Sequence, residues 1–179
     1  LILDDAMNYL KNCVFVSALY FVFFSASLLA ATTVSGEFKQ LKHFAGFSKP
    51  FISKGEFTLE GEKLLWYVKT PVQSTLLIEN GQVFVKNKEG ELTPQPGSEQ
   101  FVGLLTDLLA LDMKALYARF DVTNQTGCLL LKPKDTLLKQ LFSHFILCEN
   151  NQRVQSITLN EHSGSNTVIE FSYANTPNN

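Results

Sequence analysis

Residues 51–86 read FISKGEFTLEGEKLLWYVKTPVQSTLLIENGQVFVK, and this stretch decides the fold. Its apolar segments show partial period-two alternation, which is typical of half-buried β-strands, and they cover 51–59, 64–69, 74–79 and 82–86. Turn-forming pairs separate the segments: Glu60-Gly61, Thr70-Pro71 and Asn80-Gly81. Asn80-Gly81 predicts a type I′ hairpin, because both central residues of that turn need positive φ. The stretch therefore predicts antiparallel strands joined by tight turns.

The rest of the chain extends this pattern in both directions. Further strands are predicted over 36–44, 91–93, 120–124, 128–132, 142–148, 154–159 and 167–173. Between them the period changes to that of a helix, with Ser98 as its predicted N-cap. The apolar stripe of this helix consists of Phe101, Leu104, Leu105 and Leu108. With a second short helix over 113–118, the chain predicts an α+β, mainly β fold: an antiparallel sheet with its helices on one face.

Composition favours one globular domain and argues against one class of partner. The chain has 179 residues, of which 45% are hydrophobic and 18% charged, so it can form a single core. We expect one domain over 32–179. A formal net charge of -2 argues against nucleic-acid binding, which needs a clustered basic surface. The 15 Phe residues supply more aromatic surface than a sheet with one solvated face needs, and some of it is available for a ligand.

The first 31 residues predict export from the cytoplasm. Met7 is the better initiator, Lys11 gives a short basic region, and Val14–Ala31 is an uncharged apolar run that ends in small residues. This is the layout of a signal peptide, with cleavage expected within 27–31. The alternative is a permanent membrane anchor, because the run approaches the length that spans a bilayer. We therefore expect residues 1–31 to be an upstream extension and signal peptide, and the mature protein to be periplasmic.

Two cysteines remain after the predicted cleavage, since Cys13 precedes the apolar run. Cys128 and Cys148 fall opposite each other if the flanking strands form a hairpin centred near Leu138. An oxidising compartment favours a disulfide between them. Two buried free thiols remain the alternative.

The polar residues show no pattern that predicts catalysis. The three histidines, His43, His144 and His162, lack further ligands at metal-binding spacing. The run over 162–165 lacks the Gly-x-Ser-x-Gly pattern of a nucleophile elbow and is better explained as a hairpin loop. Glu56, Glu60 and Glu62 are better explained as the solvated face of a turn. We therefore expect neither an enzyme nor a metal or other cofactor.

Three consecutive motifs carry a family resemblance. Residues 34–42 contain Gly36-Glu-Phe38-Lys-Gln40, residues 49–57 contain Ser53-Lys-Gly55-Glu-Phe57, and residues 64–71 contain Leu64-Leu-Trp66 followed by Thr70-Pro71. Their order and spacing, and the Asn-Gly hairpin that follows, resemble the outer-membrane lipoprotein carrier family (LolA-like). The resemblance covers essentially all of 32–179, is most specific over 36–71, and points to a divergent branch of the family.

The resemblance implies a fold and a function. The fold would be an incomplete β-barrel, a curved antiparallel sheet whose concave face is covered by helices. The function would be that of a monomeric carrier, which takes acyl chains of a lipoprotein or lipid from an inner-membrane exporter to an outer-membrane acceptor. Candidate lipid-binding residues on alternate sheet positions and on the helical lid are Phe57, Leu59, Trp66, Val68, Leu76, Ile78, Phe101, Leu105 and Leu108. Plain core residues would show the same alternation.

The sequence departs from the family at two points. Family members usually carry an arginine about six residues before the tryptophan, where it engages the lid, and Glu60 stands there instead. The helix that normally precedes the first strand is reduced to about 28–34. Two other hypotheses therefore stay open: a periplasmic sensor or accessory module that binds a partner protein with the same fold, and an inner-membrane protein tethered by the uncleaved apolar run.

Overall fold

The computed structural model describes residues 33–87, 89–95 and 99–174, without the side chains of 99–102. The predicted signal peptide and the predicted N-cap Ser98 lie outside the described residues. In the described part of the chain, no helix has the length and apolar character needed to cross a membrane.

The chain forms eleven strands and three short helices within these ranges. The strands before the first helix are β1 Thr33–His43, β2 Phe51–Glu60, β3 Lys63–Thr70, β4 Ser74–Glu79, β5 Gln82–Lys86 and β6 Leu92–Pro94. The later strands are β7 Phe120–Gln125, β8 Cys128–Pro133, β9 Phe142–Asn150, β10 Arg153–Glu161 and β11 Asn166–Tyr173. The helices are α1 Glu99–Ala110, α2 Met113–Arg119 and α3 Thr136–Leu141. The predicted mainly β fold is confirmed.

All strands belong to one antiparallel sheet in the order β6-β5-β4-β3-β2-β1-β11-β10-β9-β8-β7. The first and last strands, β1 and β11, are neighbours in its centre, and the outermost strands β6 and β7 do not pair with each other. Helix α1 contacts β5, β2 and β10. In a flat sheet β5 and β10 would lie about 29 Å apart, whereas a helix is only about 10 Å across, so the sheet curves around α1. It is therefore an open half-barrel with a helix on its concave side.

The predicted Asn-Gly hairpin is confirmed. Asn80 and Gly81 both have positive φ, 52° and 72°, and the flanking residues Glu79 and Gln82 pair directly. Such short-range turns fix the register of the strands that they connect.

The predicted hairpin centred near Leu138 is confirmed, although helix α3 was not predicted within it. Strands β8 and β9 do pair, but their connection contains helix α3. Asp135 caps this helix, because its carboxylate accepts hydrogen bonds from the backbone N–H groups of Leu137 and Leu138. Cys128 and Cys148 are direct partners across β8 and β9 and form a disulfide.

A glycine in β2 explains one of the sequence motifs. A Cβ atom on Gly55 would lie 1.9 Å from the carbonyl oxygen of Tyr67 and 2.7 Å from the ring of Phe38. The Phe38 ring occupies this space and stacks on Trp66, with 3.8 Å between the ring centroids. The position therefore requires a residue without a side chain.

Candidate functional site

The concave face of the sheet carries a continuous apolar layer, which we call the inner layer. Its central members are aromatic: Phe57 lies 5.4 Å from Phe171 and 6.3 Å from Trp66, measured between ring centroids. Phe38 and Tyr173 extend the same cluster. The leucine, isoleucine and valine side chains of the neighbouring strands continue it to both sides. Period-two alternation along each strand brings these residues to one face.

The structure brings most of the predicted lipid-binding residues together in this layer. The register pairs Phe57 with Trp66, and Trp66 with Leu76, so alternate positions of β2, β3 and β4 share the concave face. The buried members of the predicted set are Phe57, Leu59, Trp66, Ile78 and Leu108. The half-buried members are Val68, Leu76 and Leu105. The side chain of Phe101 lies outside the described residues.

Helices α1 and α2 cover the inner layer, and we call them the lid helices. Leu104, Leu108 and Leu109 of α1 and Leu116 of α2 are buried in the same apolar cluster as the sheet residues. The helical spacing of these leucines places them on the face that meets the sheet. The described part of the lid therefore presents hydrocarbon to the concave face.

An ion pair connects the two lid helices. Nη1 of Arg119 at the end of α2 donates to Oδ2 of Asp107 in α1 over 3.2 Å, and both side chains are about three-quarters buried. Burial raises the pKa of the Asp107 carboxyl above its ordinary value, and the hydrogen bond from Arg119 opposes that shift. Arg119 therefore favours the charged form of the Asp107 carboxyl, whereas burial disfavours it.

The connection between the lid helices has an unusual backbone. Leu111, which follows α1, has a positive φ of 52°. This left-handed conformation costs a branched residue on the order of 1 kcal/mol. The N–H of Asp112 donates to the carbonyl of Asp107, and the carboxylate of Asp112 caps α2 by accepting from Ala115. The turn between α1 and α2 is therefore defined by its own hydrogen bonds.

A cleft of about 630 Å³ opens where the lid helices meet one end of the sheet. We call it the entry cleft. Its lid side consists of Ala110, Leu111, Met113 and Tyr117, and its sheet side includes Asn124, Gly127, Cys128, Leu129, Glu149 and Gln152. Three of these residues, Leu111, Met113 and Leu129, also pack against the buried core. The cleft is thus one place where the apolar cluster reaches the surface.

Sequence reasoning missed several of these features. It did not identify Arg119, Asp107 or the residues of the entry cleft as functional. Glu60 stands where family members usually carry the arginine that engages the lid, and Arg119 of α2 forms an ion pair within the lid itself. Asp107 and Arg119 lie 12 residues apart, near the ends of two short helices, and this spacing could have indicated the ion pair in the sequence. In the described residues, no cluster of three or more His, Cys, Asp or Glu side chains is placed to hold a metal ion.

An open antiparallel sheet curved around an apolar layer, with short helices over that layer, defines a class of half-barrel proteins with a covered apolar face. A family model described as "Outer membrane lipoprotein carrier protein LolA" matches residues 30–179. The chain belongs to this family, and the resemblance of its motifs is confirmed. No curated protein matches the sequence.

The chain is also similar to solved structures of low sequence identity. A DUF1329 family protein from Desulfovibrio piger is 14% identical, with 80% of this chain and 85% of that chain covered and a TM-score of 0.44. A putative outer membrane lipoprotein-sorting protein domain from Vibrio parahaemolyticus is 11% identical, with 82% and 87% covered and a TM-score of 0.47. The MucA/MucB complex of Pseudomonas aeruginosa contains a chain that is 13% identical, with 83% and 54% covered and a TM-score of 0.44.

Proposed function

We propose that this protein is a non-enzymatic periplasmic carrier that binds acyl chains of a lipoprotein or lipid between its concave sheet and its lid helices. It receives them from an inner-membrane exporter and delivers them to an outer-membrane acceptor, acting as a monomer. The observation that carries the proposal is the inner layer, an apolar surface that continues from the sheet onto the lid. Membership of the carrier family supports the same function.

Energetics explain why such a carrier needs a covered layer. Each CH₂ group of an acyl chain that is exposed to water costs about 0.8 kcal/mol, so a chain of about 16 carbons costs on the order of 12 kcal/mol. A surface that removes most of the chain from water offsets this cost. The apolar faces of β2, β3 and β4 are candidates for that contact through Phe57, Trp66 and Leu76.

Binding requires the lid to move away from the sheet. In this structure the inner layer is closed, because Leu108 and Leu116 of the lid and Phe57 of the sheet are at most 2% exposed. Acyl chains would therefore replace contacts that the lid leucines make with the sheet. Such an exchange is nearly balanced in free energy, because one apolar contact replaces another. A carrier that must also release its cargo needs this balance.

The entry cleft supplies the route in this proposal. Met113 and Leu129 lie on its opposite sides and connect it to the buried core. Arg119 and Asp107 hold α1 and α2 together, so the two helices would move as one unit. We assign to Arg119 the lid-holding role that Glu60 cannot take, since a carboxylate offers no donor to the lid.

Binding of a fluorescent fatty acid tests the proposal. We expect the exported protein to bind dansyl-labelled undecanoic acid, and Met113→Gln to weaken binding about tenfold, because an amide in the cleft must give up its water. Lys114→Gln is the matched control, since Lys114 is the adjacent residue of α2 and is exposed. That variant should bind like the wild type.

Mass spectrometry of the protein purified from cells provides a second readout. Copurified acyl species support the carrier. A protein that carries no acyl species and does not bind the probe contradicts it and favours the accessory module that binds a protein partner. The intact mass of the same sample also distinguishes a cleaved signal peptide from an uncleaved anchor.

A further inference from the structure

The connection between β1 and β2 exposes a cluster of aromatic rings. Phe44, Phe47 and Phe51 are 43%, 66% and 60% exposed. Their ring centroids lie 5.4 to 6.3 Å apart in edge-to-face arrangements. Scattered exposed apolar residues are normal on a protein surface, but three rings in mutual contact form a continuous patch. We call these three residues the aromatic tip.

The backbone holds the aromatic tip in place. The N–H of Phe47 donates to the carbonyl of Phe44 over 3.1 Å, and Gly46 supplies the positive φ of that turn. The N–H of Ala45 donates to Oγ of Ser165, which ties the tip to the connection between β10 and β11. The rings are therefore presented on a turn with defined geometry.

The chain segment that contains the tip carries charge of one sign. Residues 38–55 contain four lysines and no Asp or Glu, although the whole chain has a formal net charge of -2. Lys39 and Lys42 form ion pairs with Glu170 and Glu161 of neighbouring strands. Lys49 and Lys54 form no ion pair with the residues that the structure describes. These two ammonium groups are available to an anion outside the molecule.

We propose that the aromatic tip is a docking surface for an anionic phospholipid bilayer. Aromatic rings partition into the interface between headgroups and acyl chains, and each lysine near an anionic surface contributes about 1 kcal/mol of attraction. Protein–protein interfaces, in contrast, are depleted in lysine. The combination of phenylalanine rings with flanking lysines therefore fits a lipid surface better than a protein surface.

The tip lies at the opposite end of the sheet from the entry cleft. The cleft includes Gly127 and Gln152, in the β7–β8 and β9–β10 turns, whereas the tip is bonded to the β10–β11 connection. Successive turns of an antiparallel sheet alternate between its two ends. A protein docked through the tip thus keeps the cleft directed away from the bilayer. This proposal does not rest on acyl-chain binding.

Sedimentation with vesicles tests the docking surface. The exported protein is mixed with vesicles of phosphatidylcholine alone or of three parts phosphatidylcholine to one part phosphatidylglycerol. We expect binding to the anionic vesicles that weakens as salt is added. Lys49→Gln with Lys54→Gln should weaken it about thirtyfold. Replacement of the three tip residues by Ser should weaken it on the order of a hundredfold.

Matched variants distinguish a loss of vesicle binding at the tip from unfolding and from vesicle binding by the N-terminal segment. All proteins have the same N-terminal segment, so any contribution of that segment is common to them. Leu92→Ser and Lys132→Gln remove an exposed leucine and an exposed lysine elsewhere, and both should bind like the wild type. The variant with three Ser residues should still show the cooperative urea unfolding transition of the wild type by Trp66 fluorescence, which shows that it is folded whether or not the protein binds acyl chains.

Several outcomes would overturn the proposal. One is equal binding of the wild type to both kinds of vesicle. Another is undiminished binding of the lysine variant or of the variant with three Ser residues. Wild-type protein that stays in the supernatant with both vesicles would also overturn it and would assign the tip to a protein partner.

Discussion

The substitution Gly55→Ala should destabilise the protein strongly. The new Cβ would lie 1.9 Å from the carbonyl oxygen of Tyr67, far inside van der Waals contact, and 2.7 Å from the ring of Phe38. Strand β2 must therefore move away from β3 and displace Phe38 from its stack on Trp66. A lost strand hydrogen bond costs about 1 kcal/mol, and overpacking costs about 1–3 kcal/mol. We expect the free energy of unfolding to fall by about 3 kcal/mol.

Urea unfolding followed by tryptophan fluorescence measures this loss. Trp66 is the single tryptophan of the chain, so the signal reports on the site itself. The folded variant should also show altered emission, because the Phe38 ring no longer covers the indole. A loss of about 3 kcal/mol would lower the melting temperature by roughly 6–12 °C in a domain of this size.

The matched control is the same substitution at Gly103 in α1. A Cβ there meets its nearest atom, Nη1 of Arg119, at 3.5 Å, which is ordinary contact. Gly103→Ala should therefore stabilise the protein by up to about 1 kcal/mol, because alanine favours a helix. Equal effects of the two substitutions, or a loss below about 1 kcal/mol for Gly55→Ala, would refute the steric explanation of the motif.

Three further predictions follow from the hydrogen bonds and the disulfide. Replacing Cys128 and Cys148 by Ser should lower the free energy of unfolding by about 3 kcal/mol, since the bridge closes a loop of 20 residues, and urea unfolding would show it. Burial raises the pKa of Tyr173 to about 12, and its hydroxyl donates to the Val154 carbonyl over 2.8 Å. The contribution of this hydroxyl to the free energy of unfolding is therefore complete below pH 10 and is lost as the pH rises towards 12. Tyr173→Phe should abolish this loss of stability at alkaline pH, which unfolding measured across this range would show. The hydrogen bond from Lys42 lowers the pKa of Glu161, so Lys42→Met should move that pKa upward in an NMR titration, and an unchanged value would contradict the assignment.

Local signals predicted most of the sheet. Asn80-Gly81 specifies its hairpin through the φ angles of two residues, and alternation specifies which residues of β2 and β3 share a face. Helix α3 was missed because its six residues make fewer than two turns, too few to show helical periodicity. Asp135, which caps α3, is the residue that could have indicated this helix in the sequence.

The sequence pattern does not predict contacts between residues that are far apart in the chain. No local property of 36–44 indicates that β1 pairs with β11, the last strand. The phenylalanines at 44, 47 and 51 look like core residues in the sequence, since exposure depends on what packs over them. Trp66 and Phe57 were expected on the inner face and lie there, but alternation is the same for a core and for a ligand surface.

The central position of β1 and β11 has a consequence for how the protein matures. Strand β1 is the first of the described strands to be synthesised, yet one of its two partners, β11, is the last of them. Without β11, both β1 and β10 lose a neighbour and the sheet divides into two separate halves. A chain that ends before residue 166 therefore lacks Ile169 and Phe171. The aromatic rings of the half that contains β1 are then exposed. Truncated chains should for this reason aggregate or be degraded, and the half-barrel forms only after β11 has been synthesised.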